Sequence, residues 1–173
     1  MVLSGRRIIE LWDVIFPKGN HLAHVNPASV DLCIGTHALC EYTTSWRGQS
    51  LEECTPVHPY LMAPGELILV QTYEYLCIPN DLVMELRMKS TLAREGLNHA
   101  LAFWIDPGWR GVLTMELINQ ARYHTIPLWP GRRVVQAIFH TLDGLATPYQ
   151  GRYLDATQVE GPKQEIGEPY EPL

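Results

Sequence analysis

Residues 88–119 read M-K-S-T-L-A-R-E-G-L-N-H-A-L-A-F-W-I-D-P-G-W-R-G-V-L-T-M-E-L-I-N. Three short elements of different character follow one another here. Ser90 to Gly96 has helical character, with Ser90 or Thr91 placed to cap its start and Gly96 to end it. Asp106-Pro107-Gly108-Trp109 is a tight turn, in which Pro and Gly supply the constrained backbone angles. Val112 to Asn119 is strand-like and carries one carboxylate, Glu116, between Met115 and Leu117. An isolated carboxylate among apolar neighbours tends to have a raised pKa, which suits proton transfer near neutrality. Lys89, Ser90 and Thr91 at the start of the helical piece place a cation and two hydroxyls where free amides would also attract an anion.

The same texture extends in both directions. S-V-D-L-C-I-G at 29–35 reads as one short strand. Pro64-Gly65 is a turn, and 65–77 alternates as a strand with Leu67, Leu69, Tyr73, Tyr75 and Cys77 on one side. Pro79-Asn80-Asp81 is another turn and Leu82 to Met88 another strand. Leu128-Trp129-Pro130-Gly131 turns into a strand over 134–141, with Val135, Ala137 and Phe139 on one face and Gln136 on the other. The polar segment 43–59, with Pro56 and Pro59, reads as a loop. Near the N-terminus, Ser4 is placed to cap a short helix with an apolar stripe from Ile8 to Phe16, ended by Pro17 and Gly19. Thirteen prolines and thirteen glycines fit many short strands. The expectation is a single domain over 1–173 of all-β class, a distorted barrel or jelly-roll-like double sheet with one or two short helices. The segment 146–173, rich in Pro, Gly, Glu and Tyr, reads as an extended or mobile tail; P-Y-Q-G-R-Y within it offers two aromatics and an Arg for closing over a ligand.

Bulk properties narrow the function. The chain has 173 residues, 46% hydrophobic and 18% charged, a globular composition. The net charge of -6 argues against a broad nucleic-acid surface, yet leaves room for a nucleotide, which a few local cations and amides suffice to hold. No apolar run approaches the roughly 20 residues that span a bilayer, so no membrane partner is expected. Arg6, Arg7, Glu10 and Asp13 interrupt any signal-peptide pattern, and a cytoplasmic location is the expectation. The four cysteines form no C-x-x-C pair and read as reduced. The motifs H-x-E, P-C-x-x-C and H-E-x-x-H are absent, as are Walker A, G-x-G-x-x-G and G-x-S-x-G sequences. A protein-bound catalytic metal, zinc included, is therefore not expected, and the scattered histidines read individually as structural or solvent-facing.

Five segments, in one order, resemble the dCTP deaminase family, which shares a fold superfamily with trimeric dUTPase. They are S-V-D-L-C-I-G at 29–35, P-G-E-L-I-L-V-Q-T-Y-E-Y-L-C-I-P-N-D-L-V at 64–83, and K-S-T-L-A-R-E-G-L at 89–97. A-F-W-I-D-P-G-W-R-G with the following L-T-M-E-L-I-N, and P-L-W-P-G-R-R-V-V-Q-A-I-F at 127–139, complete the set. The resemblance implies a dUTPase-type fold and hydrolytic deamination of dCTP to dUTP and ammonia, which supplies dUTP for thymidylate synthesis. It further implies magnesium carried on the nucleotide triphosphate, no zinc, and a homotrimer with active sites between subunits.

Residue by residue, Glu116 matches the catalytic glutamate. Ser90 and Arg94 match groups that hold water, base and phosphates, and Ala102 matches the alanine whose carbonyl orients the water. Lys89 and Thr91 match phosphate contacts, and Asp106 matches the aspartate beside the deoxyribose. Thr114 and Met115 lie where backbone meets base. Gln136 matches a glutamine of the trimer core or phosphate region, and Tyr149, Arg152 and Gln158 match the tail that closes on the triphosphate. The chain departs from the family pattern at Leu101, where a Thr is usual, in a shorter segment between Arg94 and Asp106, at Arg152 in place of a Lys, and in the tail after Tyr153. Two alternatives stay open. One is a dUTP diphosphatase or bifunctional deaminase–diphosphatase, because Asp106 stands where dUTPases keep their water-activating aspartate. The other is a non-catalytic nucleotide-binding regulatory protein.

Overall fold

The computed structural model describes residues 1–43, 45–100 and 102–163. The long strand β2 (Ser29–Tyr42) organises it. Its first half, Val30 to Cys33, pairs with β11 (Arg133–Thr141), and its second half pairs with β3 (Ser45–Ser50) and β5 (Leu67–Cys77). One strand thus serves two half-sheets. On one side β11 continues to β6 (Leu82–Met88) and β8 (Trp104–Ile105); on the other β5 continues to β9 (Arg110–Asn119) and β7 (Leu97–His99). β1 (Val25–Asn26) adds to β2, and β4 (Tyr60–Met62) pairs separately with β10 (Ile126–Leu128). Every ladder is antiparallel. The sheet curls into a half-barrel, in agreement with the all-β expectation.

The curl is written into β2. Its register against β5 shifts between Ile34 and Ala38, a local irregularity of the kind that bends a strand. Gly35 lies in that interval, and a Cβ there would meet Gln71 Cγ at 2.7 Å and the Thr72 carbonyl oxygen at 2.8 Å. Only a residue without a side chain lets the two strands approach so closely. Gly35→Ala is expected to lower stability by about 1–3 kcal/mol through forced separation of the strands, measured as a fall in the urea midpoint at unchanged slope.

Inside the curl, Phe16, Ile15, Leu32, Ile34, Met84 and Phe139 are fully buried. Two short helices, α1 (Gly5–Glu10) and α2 (Trp12–Ile15), close one end, burying Ile8, Ile15 and Phe16. Ser4 caps α1 as expected, accepting a hydrogen bond from the Arg7 amide. The third helix, α3 (Ser90–Arg94), differs from expectation at its start. Lys89 occupies the N-cap and no side chain caps it. The Lys89 amide is held by the Val134 carbonyl at 3.0 Å, so the strand's hydrogen bonding runs directly into the helix and leaves no capping position for a hydroxyl.

A further expectation is corrected. The segment read as a loop over 43–59 contains β3, which pairs with the outer part of β2 from Tyr42 to His37. Only Trp46 within it is even half-buried, so its six residues carry no apolar alternation to read. The expected strand β5 is present, with Ile68, Val70, Thr72, Glu74 and Leu76 turned to the core and the alternate residues, Leu67 to Cys77, on the other side. The other expected strands and turns are present: the Trp109 amide bonds the Asp106 carbonyl, and the Arg132 amide bonds the Trp129 carbonyl. Among the described residues no helix is long and apolar enough to cross a membrane.

The tail is irregular over 146–163 but lies along the body. The Tyr149 amide bonds the Pro107 carbonyl, the Asp155 amide bonds the Arg110 carbonyl, and the Val112 amide bonds the Ala156 carbonyl. Arg110 forms a two-point ion pair with Asp155 at 2.5 and 2.8 Å. The remainder of the tail, 164–173, lies outside the described residues.

Candidate active site

A cavity of about 500 Å³ opens on the outer face of β5 and β9, on the side away from the core. Its walls are largely apolar: Leu67 and Leu69 of β5, Val112 and Leu113 of β9, and Trp46, Trp104, Ile105 and Trp109 around them. Thr114 and Glu116 of β9 project into it, because alternate residues of the strand share a face while Met115 and Leu117 point to the core. Asp106 reaches it from the turn before β9. Ala100 and Ala102 flank Glu116, and the Ala100 amide bonds the Glu116 carbonyl at 3.1 Å.

Glu116 pairs across the ladder with Leu69 and makes no ion pair among the described residues. Burial raises its pKa above the usual carboxylate range, with a backbone hydrogen bond opposing the shift. A carboxylate in such a setting accepts a proton more readily than one in water and is well matched to proton cycling near neutrality.

The tail forms the remaining wall. Tyr149, Tyr153, Ala156 and Glu160 line the cavity. The Glu160 amide donates to Thr114 Oγ1 at 3.0 Å, the Val159 amide to Gln71 Oε1 at 3.1 Å, and Trp109 Nε1 to the Tyr153 carbonyl at 3.0 Å. The Glu160 carboxylate is within 2.6 Å of Lys163 Nζ. Of the expected tail residues, Tyr149 lines the cavity, whereas Arg152 and Gln158 are exposed and do not. Arg152 Nη1 donates to the Lys163 carbonyl.

Five of the expected site residues therefore meet in one cavity: Ala102, Asp106, Thr114, Glu116 and Tyr149. Met115 adjoins it by backbone only, since its side chain is buried on the opposite face. The expected phosphate group lies elsewhere. Ser90, Thr91 and Arg94 are exposed on α3 and do not line this cavity, and Arg94 makes no ion pair among the described residues. Lys89 is drawn inward: its Nζ lies 2.6 Å from the buried Asp31 carboxylate, which also accepts from Arg133 at 3.3 Å and Asn26 at 2.9 Å. Gln136 sits mid-strand in β11, opposite Asp31 and Arg87, also away from the cavity. Leu101 lies outside the described residues. The sequence reading missed Trp46 and Glu160 as cavity residues. Trp46 had no pattern around it, and Glu160 belongs to a tail without periodicity.

Comparison with known proteins converges on one family. A family model described as dCTP deaminase-like matches residues 2–142. A dCTP deaminase, dUMP-forming, of Dictyoglomus thermophilum is 34% identical over 167 residues, covering 86% of this chain and 85% of the relative. Another of the same name from Acidothermus cellulolyticus is 44% identical over 93 residues, 53% of this chain and 48% of the relative, so the match spans about half that relative's length. In structure, the 2'-deoxycytidine 5'-triphosphate deaminase of Agrobacterium tumefaciens superposes with a TM-score of 0.67 at 21% identity, over 82% of this chain and 48% of the other. A dUTPase of phage phi11 of S. aureus superposes at 0.50 and 15% identity, over 86% and 88% of the two chains, which makes the fold dUTPase-like. With the family model spanning most of its length, the chain belongs to the dCTP deaminase-like family.

Proposed function

We propose that the chain deaminates dCTP to dUTP and ammonia, with Glu116 as the proton carrier. The observation carrying this reading is Glu116 itself, a partly buried carboxylate without a cationic partner among the described residues, in a largely apolar cavity beside Thr114 and Asp106. Hydrolysis at C4 of cytosine requires a water that loses a proton as it attacks, a ring nitrogen that gains one, and an amine that leaves protonated. A single carboxylate serves all three transfers. It accepts the water proton, delivers it to N3, and then takes the proton of the new hydroxyl and passes it to the departing amine, so that dCTP and water become dUTP and ammonia. The Ala102 carbonyl orients the attacking water, and Thr114 and the Met115 backbone hold the base. The apolar walls keep the base still and dry, which raises the effective concentration of the correctly placed water. No zinc takes part in these steps, and magnesium enters with the triphosphate as part of the substrate.

Ser90, Thr91 and Arg94 present side-chain donors on α3 without a partner among the described residues, outside the cavity of their own chain. That separation supports a homotrimer in which α3 of a neighbouring copy completes each site and supplies the phosphate contacts with Lys89. Tyr149 and Arg152 cover the triphosphate from the tail.

A second reading extends the first: hydrolysis of the dUTP formed to dUMP and pyrophosphate, with Asp106 activating a second water. Asp106 in the same cavity as Glu116 favours it, as does the dUMP-forming name of both sequence relatives. One assay separates the possibilities. The purified chain is incubated with dCTP and magnesium, and the products are resolved by ion-exchange chromatography. Accumulating dUTP supports deamination alone, and dUMP with pyrophosphate supports the combined reaction. Nucleotide binding without either product would replace both with a regulatory binding role.

A further inference from the structure

His24, Cys33 and Glu74 are brought together away from the cavity, which none of them lines. His24 closes the 3-10 turn Leu22–His24, Cys33 lies in β2, and Glu74 lies in the part of β5 where the register against β9 shifts. One ligand atom from each lies within 4.8 Å of the others. Cys33 Sγ and His24 Nδ1 are 3.8 Å apart. Two ligands on a tetrahedral zinc, with Zn–S of about 2.3 Å and Zn–N of about 2.0–2.1 Å, stand about 3.6 Å apart. We propose that His24 Nδ1, Cys33 Sγ and a Glu74 carboxylate oxygen form a binding site for one zinc-type divalent ion, with water as the fourth ligand.

Burial and charge support the assignment beyond proximity. Cys33 is 2% exposed and Glu74 1% exposed. Glu74 makes no ion pair among the described residues; both of its oxygens face the Cys33 amide, at 3.0 and 3.2 Å, with its own amide and the Cys33 thiol as the other donors nearby. A carboxylate has about four acceptor positions, and no cation fills any of them here among the described residues. A divalent cation between one carboxylate and one thiolate gives a neutral centre, which burial favours over a lone charge. The neighbouring cations do not serve that purpose: Lys89 and Arg133 are both drawn to Asp31. Sulfur, imidazole and carboxylate together suit zinc or cobalt better than magnesium or calcium. The ion would tie the Leu22–His24 turn to β2 and β5, a structural duty separate from catalysis.

The test uses the full chain stripped with a chelator and titrated with Co²⁺ alone as a spectroscopic probe. The expected result is one Co²⁺ per chain, a thiolate-to-cobalt charge-transfer band that Zn²⁺ displaces, and a melting temperature that rises with free metal. Cys33→Ser is expected to abolish the band. His24→Ala, at a half-buried turn, is expected to keep the fold by circular dichroism and weaken binding at least about tenfold; it decides the matter if Cys33→Ser does not fold. Cys54→Ser should leave the band unchanged. No charge-transfer band in the folded parent chain at excess Co²⁺, or a band untouched by His24→Ala, overturns the site and leaves a thiol–imidazole hydrogen bond in its place.

Discussion

Glu116→Gln lowers dCTP turnover by about 10²–10⁴-fold, the range expected when the group that moves protons in a transition state is removed. The replacement keeps the shape of the side chain and its place opposite Leu69, so nucleotide binding should fall far less than turnover. Stability moves in the opposite direction. Burial raises the pKa of Glu116 in the folded chain, so ionising it costs more folded than unfolded. The penalty is absent below the unfolded value of 4.5, where both states are protonated, and fully present once the pH exceeds the raised folded value. Glu116→Gln should therefore melt above the parent at pH 8 and together with it at pH 4. Loss of turnover with a gain in stability is the signature of a functional carboxylate held in an unfavourable setting. A variant that keeps parental turnover would remove Glu116 from the chemistry.

The shared site of the trimeric proposal extends this experiment. Arg94 does not line the cavity that holds Glu116 of the same chain. Chains carrying Glu116→Gln and chains carrying Arg94→Ala, each nearly inactive alone, should regain part of the parental rate when unfolded and refolded together. Some sites then combine an intact Glu116 from one chain with an intact Arg94 from another. Absence of recovery, with mixed assemblies demonstrated, would place both residues in one chain's site.

How much of this was legible in the sequence depends on whether each signal is local. The turns at Asp106-Pro107-Gly108 and Trp129-Pro130-Gly131 carry their geometry in adjacent residues and were readable. The strand over Val134–Thr141 shows one buried face, Val135, Ala137 and Phe139, and it too was readable. β5 was readable as a strand but not its inward face, because both faces hold apolar residues near Leu67–Val70, one packing in the core and one walling the cavity. No alternation rule separates those roles. β3 was invisible because an exposed strand needs no apolar face. Glu116 stood out as a lone charge in an apolar strand, whereas the partner of Lys89 lies 58 residues away and no local pattern joins the two. The His24, Cys33 and Glu74 group has the same origin: the Leu22–His24 turn, β2 and β5 bring together residues whose spacing matches no short metal motif.

Asp31→Ala is expected to cost about 3 kcal/mol, the lower end of the range for breaking a buried ion pair. Asp31 is 1% exposed and holds Lys89, Arg133 and Asn26 at once. Arg133 is half-exposed and regains water when released, so its loss weighs little. Lys89 is more enclosed, and its amide is fixed between β11 and α3, so its ammonium is left without a counter-charge. Most of the cost should therefore travel with Lys89. The double variant Asp31→Ala/Lys89→Met should recover a substantial part of the lost stability, which the urea midpoints of the parent, both single variants and the double would show. Additive effects would mean that the ion pair has no energetic coupling. Activity should separate the two residues further. An ammonium has three donors, and one bond to Asp31 leaves others for a phosphate oxygen. Asp31 thus orients Lys89 at the entrance to α3, and the stable double variant should still bind nucleotide triphosphate more weakly than the parent, because the cation is gone although the fold is restored.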